Sequence, residues 1–135
     1  MPKVEAVSIL DAPNYRDLIS KTMSCAQRYF RYTLGSSKQC GICLPCIIRR
    51  AAIKYADLED NDTTYIYDVE NFESLTNDGK TIVYELRDFC HKLSLCKNDM
   101  DVLLKYPQFM MENADVSKLI ALYGRYVSEV SNLVE

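Results

Sequence analysis

The 135-residue chain is poor in glycine, has a single histidine and contains no long hydrophobic run. No apolar stretch approaches the roughly 18 residues that a membrane-spanning helix requires, so no membrane partner is expected. The N-terminal stretch M-P-K-V-E-A-V-S-I-L is too short and too polar for a signal peptide. No internal repeat occurs. Together these absences exclude a membrane protein, a secreted disulfide-rich mini-protein and a long solenoid.

The four glycines are isolated, and the sequence S-G-G does not occur. A loop that holds nucleotide phosphates needs close backbone approach and several free N–H groups, which glycines supply. The chain therefore offers no such loop. His91 has no serine, cysteine or carboxylate arrangement near it that would define a role in catalysis. The sequence predicts no catalytic residue.

The composition is typical of one globular domain, with 48% hydrophobic and 26% charged residues. The charge, however, is divided unevenly along the chain. Residues 1–54 hold nine basic and three acidic side chains, whereas the remainder holds seven basic and sixteen acidic ones. This division favours either a phosphate-bearing partner at the N-terminal half or two oppositely charged faces that pack on each other.

Hydrophobic periodicity predicts a small, mainly α-helical domain over residues 1–135. Residues 1–58 are expected to form a short helix at 14–21, the cysteine segment, and a helix from Leu44 to about Leu58. Residues 59–80 are interpreted as an acidic loop with an extended piece at T-T-Y-I-Y-D-V and a turn at Asn77-Asp78-Gly79. Residues 81–135 form the helical C-terminal part, with a helix from Thr81, a shorter one over 99–106, a stop at Pro107 and a last helix capped by Asn113 or Asp115.

The helices from Leu44 and Thr81 and the last helix each carry an expected apolar face. On the first of these, Arg49 and Arg50 are expected to lie largely off the apolar face. The three faces consist of Ile47, Ile48, Ala51, Ala52 and Tyr55, then Ile82, Val83, Leu86, Phe89, Cys90 and Leu93, and finally Val116, Leu119, Ile120, Tyr123, Val127, Val130 and Val134.

Four of the six cysteines form the pattern C-x14-C-x2-C-x2-C, with ligand candidates Cys25, Cys40, Cys43 and Cys46. Each two-residue gap lets two sulfurs meet one ion, and the intervening Gly41 lacks the β-carbon that would obstruct the turn. Four thiolates leave no open coordination position, so the pattern favours structural Zn2+. A [4Fe–4S] cluster and unliganded thiols are the alternatives. Clustered thiols in a chain with no export signal also indicate a reducing compartment, the cytoplasm.

The remaining cysteines, Cys90 and Cys96, lie on or just after a predicted helix. Cys90 falls on its apolar face. Buried free cysteines usually act as small hydrophobic side chains, so both are interpreted as packing residues.

The segment from Ser24 to Ala52 resembles the C-terminal zinc segment of 7-cyano-7-deazaguanine synthases, the QueC-like family of queuosine biosynthesis. That family carries an S-C pair, a loop of variable length, the motif C-G-x-C-x-x-C and then a basic residue. Here these are Ser24-Cys25, the C-G-I-C-L-P-C of residues 40–46, and Arg49 or Arg50. The continuation, including T-Y-I-Y-D at 64–68, is similar to a longer QueC-like branch of bacterial antiphage (Qat-type) operons.

Complete members of this family have an N-terminal ATP-binding PP-loop domain. Its S-G-G-x-D-S loop holds ATP while a carboxylate substrate is adenylated and then amidated. Because this chain lacks that loop, the resemblance implies a truncated member, a C-terminal fragment or subunit that is not catalytic alone. It would take part in ATP-dependent 7-deazapurine synthesis, with antiphage defence as the context that the Qat-type similarity implies, only with a separate nucleotide-binding domain or protein subunit.

Basic and aromatic residues interleave in the loop between Cys25 and Cys40. The resemblance implies that Arg28, Arg31 and Lys38, together with Arg49 and Arg50, contact phosphate or the partner. The alternative is that these cations are solvated surface charges. The aromatic residues Tyr29, Phe30 and Tyr32 would line a deazapurine or ATP pocket, or else fill a local core. Two other functions stay open: a stand-alone zinc module that binds nucleic acid or protein, and an iron–sulfur redox protein.

Overall fold

A computed structural model describes residues 16–26, 38–110 and 115–134. Within these ranges the chain contains no β-strand, and one isolated parallel bridge joins Gln39 to Tyr65. The predicted mainly α-helical fold is confirmed. Its α-helices are α1 (Arg16–Lys21), α2 (Leu44–Tyr55), α3 (Asn77–Ser94), α4 (Asp99–Lys105) and α5 (Val116–Val134). Short 3₁₀ helices cover Glu59–Asn61, Phe72–Ser74 and Pro107–Phe109.

The core forms where α5 packs against both α2 and α3. The apolar stripe predicted for α3 is confirmed, since Val83, Leu86, Cys90 and Leu93 are buried. The cysteine turn belongs to the same core as these helices, because Cys40, Cys43 and Cys46 pack in it. None of the described helices is both long and apolar enough to cross a membrane.

Helix α2 ends at Tyr55, three residues before the predicted end. Asp57 has a φ of 55°, in the left-handed region, which stops the helix. The N–H of Asp57 donates to the carbonyl of Lys54, and the N–H of Leu58 donates to the carbonyl of Ile53. Leu58 and Ile53 also pack in one hydrophobic cluster. This is a Schellman motif, in which Leu58 folds back on the helix instead of extending it.

Helix α3 begins four residues earlier than predicted, so the predicted turn at Asn77-Asp78-Gly79 is wrong. Thr76 has extended backbone, and its Oγ1 accepts a hydrogen bond from the N–H of Gly79 at 3.2 Å. That N-cap makes the three residues the first turn of the helix. A β-carbon at Gly79 would lie 3.2 Å from Cγ2 of Ile42, so glycine lets the helix approach the cysteine turn closely.

The C-terminal part follows the prediction closely. Helix α4 stops before Pro107, and Asp115 caps α5 by accepting the N–H of Lys118 at 3.2 Å. Asn113, the other candidate cap, lies outside the described residues, as do residues 14 and 15 of the first predicted helix.

The apolar face predicted for α2 is wrong at two positions. Tyr55 is 52% exposed, whereas Arg49 is buried. The inward side also includes Ile53, which packs with Ile19 of α1 and Leu58. Helix α2 therefore has buried side chains on the side that faces α1 as well as on the side that faces α5.

Candidate metal centre

Four cysteine sulfurs converge at the N-terminal end of α2. The Sγ atoms of Cys25, Cys40, Cys43 and Cys46 all lie within 4.8 Å of one another. Three of these side chains are buried, whereas Cys25 is partly exposed. The structure thus brings the cysteine that is distant in sequence to the three closely spaced ones. Together they are positioned to bind a metal ion.

The three closely spaced cysteines are held by the start of α2. Cys43 is its N-cap residue, and its carbonyl accepts the N–H groups of Cys46 at 2.9 Å and Ile47 at 3.0 Å. The N–H of Cys43 donates to the Sγ of Cys40 at 3.4 Å. Pro45 lies in the first turn, where a missing N–H costs little. The positive end of the helix dipole favours thiolates at this position.

The turn that follows Cys40 requires glycine. Gly41 has a φ of 86°, and a β-carbon there would lie 2.2 Å from the carbonyl oxygen of Tyr67. The close approach is maintained by backbone hydrogen bonds, from Tyr67 to the carbonyl of Cys40 at 3.0 Å and from Ile66 to that of Gln39 at 2.9 Å. Residues 65–67 therefore cover the cysteine turn without room for a side chain between them.

We expect Gly41→Ala to destabilise the metal-loaded chain by at least about 2 kcal/mol, because left-handed backbone alone costs an L-residue about 1–2 kcal/mol and the methyl group also displaces Tyr67. Urea unfolding in an excess of the metal ion measures this. Gly124→Ala is the matched control, since nothing lies within 4 Å of its added β-carbon in α5. It should stabilise the chain by about 0.5–1 kcal/mol. Equal stability of the two variants would contradict the close approach at Gly41.

Hydrogen bonds among the thiols separate their pKa values. The hydrogen bond with Cys40, and then that with Cys46, lower the pKa of Cys43, whereas the hydrogen bond with Cys43 raises the pKa of Cys40 to about 11. The hydrogen bond with Cys40 is the first cause that raises the pKa of Cys46. A metal ion binds the thiolate forms of these cysteines, so its affinity is expected to rise with pH.

Arg49 is buried with hydrogen bonds on all three guanidinium nitrogens. Nε and Nη2 donate to Oδ1 of Asp62 at 3.1 and 2.8 Å. Nη1 donates to Oγ1 of Thr22, and Nη2 also donates to the carbonyl of Ile19, both at 2.5 Å. Because Ile19 and Thr22 come shortly before Cys25, this side chain ties the segment of the distant cysteine to α2.

Asp62 completes this buried network from the loop after α2. Its Oδ1 also accepts the N–H of Thr63 at 2.7 Å, and its Oδ2 accepts the hydroxyl of Tyr65 at 2.5 Å. Burial, and then the bond to Asp62, raise the pKa of Tyr65 above its ordinary value. Tyr65 is also the residue that pairs with Gln39, so the network extends to the cysteine turn.

The next two cations of α2 pair with acidic residues of the second half of the chain. Arg50 contacts Oδ1 of Asp68 at 2.7 Å and Oε2 of Glu70 at 2.6 Å, and Lys54 contacts the other carboxylate oxygen of Glu70. With the Arg49–Asp62 pair, these contacts show basic and acidic parts of the chain packing on each other. That is one of the two arrangements predicted from the uneven charge.

The other predicted phosphate- or partner-binding residues precede α2. Lys38 is exposed. Arg28 and Arg31 lie outside the described residues, as do the aromatic residues Tyr29, Phe30 and Tyr32. Contact of this group with phosphate or a partner stays a prediction, and the same holds for Arg49 and Arg50.

The remaining chemically active side chains are not part of the group of four sulfurs. Cys90 is buried in the core, Cys96 is partly buried and His91 is exposed.

A cavity of about 540 Å³ lies among α2, α3 and α5, with walls formed mainly by leucine, isoleucine, phenylalanine and tyrosine side chains.

The sequence interpretation missed two polar residues near the cluster, Gln39 and Asp62. Both depend on contacts between segments that are distant in sequence. The position of Gln39 directly before Cys40 was a signal for a role beside the sulfurs. Asp62 lies in the acidic run E-D-N-D, which gives no indication of its buried partner.

Comparison with protein-family models, curated proteins and solved structures finds no match to this chain. Its function is therefore inferred from the geometry of the four sulfurs and from the C-G-I-C-L-P-C motif at 40–46. The sulfur geometry indicates metal binding, and the motif indicates the family that the chain resembles.

Proposed function

We propose that the chain is a structural zinc-binding domain that acts as a fragment or subunit of a QueC-like ATP-dependent synthase. The observation that carries the metal assignment is the convergence of Cys25, Cys40, Cys43 and Cys46 within 4.8 Å. Four thiolates with no carboxylate or imidazole among them are a donor set that zinc favours.

The sulfur spacing supports a single ion over an iron–sulfur cluster. Ligands about 2.3 Å from a tetrahedral zinc ion lie about 3.8 Å from each other. The Sγ atoms of Cys40 and Cys46 are 3.9 Å apart. In a [4Fe–4S] centre the four cysteines bind different iron atoms, so the body of the cluster holds their sulfurs farther apart.

A zinc ion with four thiolate ligands has no position for water or substrate, so its role here is structural. Cys40, Cys43 and Cys46 belong to the main core, and Cys25 packs against that core from the segment after α1. Zinc would therefore join the segment after α1 to the start of α2 and stabilise the core around both.

Metal analysis of the purified chain tests this assignment. We expect one equivalent of zinc and a colourless protein, and we expect chelation followed by zinc to unfold and refold the helices in circular dichroism. Cobalt in place of zinc should give the absorption of a tetrahedral thiolate site. Iron with acid-labile sulfide and visible absorption would contradict the proposal, and so would a fully folded chain without metal.

The proposed synthase role depends on the motif resemblance and on what the chain lacks. The pattern S-C, C-G-x-C-x-x-C and a following arginine supports a QueC-like origin, and the absence of S-G-G indicates that another chain or domain binds ATP. In this proposal the domain acts in the cytoplasm and forms one wall of a nucleotide-dependent active site. Its antiphage (Qat-type) context is part of the same proposal.

Reconstitution tests the synthase role. A QueC-like nucleotide-binding domain without its own cysteine segment is mixed with the zinc-loaded chain. We expect a stable complex and, with ammonia supplied, ATP-dependent amidation of a deazapurine carboxylate. Salt-sensitive binding of DNA or RNA without any such complex would contradict this role and favour the nucleic-acid alternative. That alternative is weakened by the internal ion pairs of Arg49, Arg50 and Lys54.

A further inference from the structure

Gln39 is a buried polar side chain beside the cysteine cluster. It is 1% exposed and directly precedes Cys40. Its backbone carbonyl accepts the N–H of Ile66 at 2.9 Å, next to its bridge partner Tyr65. The backbone of Gln39 is therefore held in place by residues 65–67, which cover the cysteine turn.

The amide oxygen of Gln39 connects the two parts of the cluster. Oε1 accepts the N–H of Ser24 at 3.0 Å and lies 3.9 Å from the Sγ of Cys46. Ser24 immediately precedes Cys25, whose segment follows α1, whereas Cys46 lies in the first turn of α2. One side chain thus links the backbone beside the distant cysteine to a ligand of the close group.

The amide nitrogen of Gln39 is buried and has no hydrogen-bond partner among the described residues. A buried donor without an acceptor is unfavourable. The orientation of the amide is therefore set by its oxygen, which accepts the N–H of Ser24.

We propose that Gln39 is a positioning residue of the metal centre. Its amide oxygen holds Ser24, and thereby keeps Cys25 in the ligand position. This inference rests on the proposed zinc-binding function. In it, Gln39 does not bind the metal but keeps one of the four ligands in place.

The test compares Gln39→Met with Gln108→Met, a matched change at an exposed glutamine in the 3₁₀ helix Pro107–Phe109. Methionine preserves the length of the side chain and removes both the acceptor and the donor. Zinc affinity is measured by chelator competition, and cobalt spectra report the number of thiolate ligands. We expect Gln39→Met to lower zinc affinity roughly 10- to 100-fold. It should also weaken the sulfur-to-cobalt charge-transfer band, whereas Gln108→Met changes neither.

Wild-type affinity and an unchanged cobalt spectrum in Gln39→Met would overturn the role of Gln39 while leaving the zinc site intact. If Gln39→Met does not fold with zinc, amide hydrogen exchange of the zinc-loaded wild-type chain decides. We expect the N–H of Ser24 to be protected, and exchange at the unprotected rate would overturn the inference. A wild-type chain that binds neither zinc nor cobalt would overturn the proposed function together with it.

Discussion

Cys43→Ser should leave the chain unfolded at zinc concentrations that fold the wild-type protein completely. Structural zinc contributes about 10–16 kcal/mol in zinc-finger peptides, which is as large as the whole stability of a typical domain. Losing one thiolate leaves three ligands, so zinc binds more weakly and contributes less to folding. Circular dichroism during zinc titration measures the helical content that each variant gains.

Cys43→Ser separates the loss of a metal ligand from any effect on the stability of α2. Cys43 is the N-cap of α2 but makes no side-chain capping hydrogen bond, and serine is among the preferred N-cap residues. The start of α2 should therefore not suffer from the change itself. Cys96→Ser, at a partly buried cysteine outside the cluster, should fold like the wild type. Wild-type zinc-dependent folding of Cys43→Ser would rule out a structural metal at this site.

The helices and the cysteine cluster could be predicted because their signals are local. The stripe that includes Val83, Leu86 and Cys90 repeats at helical spacing over one segment, and burial follows from that spacing. The two-residue gaps between Cys40, Cys43 and Cys46 likewise place three sulfurs together through one turn and the start of one helix.

The ends of two helices could not be predicted from periodicity, because capping decides them. Thr76 supplies an N-cap that makes Asn77-Asp78-Gly79 helical, although these residues alone favour a turn. Asp57 adopts the left-handed conformation that glycine usually supplies at a helix end. Both positions depend on one hydrogen-bonding side chain or one backbone angle, which hydrophobic spacing does not report.

The buried polar contacts of the site could not be predicted either, since their partners are far apart in sequence. Arg49 donates to the backbone of Ile19, which precedes it in the sequence, and to Asp62, which follows it. The sequence interpretation placed this arginine off the apolar face of α2 from helical spacing, and arginine is rarely buried unless it is paired. Only the packing of α1 and the loop at 59–65 around α2 supplies that pairing.

Arg49→Met should destabilise the zinc-loaded chain by about 3–5 kcal/mol, because removing one partner of a buried ion pair leaves the other charge uncompensated. The side chains of Arg49 and Asp62 are only 7% and 8% exposed. Arg50→Met is the matched control one position along α2. Its partners Asp68 and Glu70 are 56% and 37% exposed, so its loss should cost no more than about 1 kcal/mol. Urea unfolding of both variants in excess zinc gives the comparison.

The same substitution separates a structural role of Arg49 from contact with phosphate. Because its guanidinium holds Ile19 and Thr22, which lead to Cys25, Arg49→Met should also weaken zinc binding, whereas Arg50→Met should not. Adding Asp62→Asn to Arg49→Met should cost less than the two single changes together, since the orphaned charge is removed. If instead Arg49→Met unfolds like Arg50→Met and loses only binding to a partner or to phosphate, the buried pair does not stabilise the fold and the phosphate-binding hypothesis gains support.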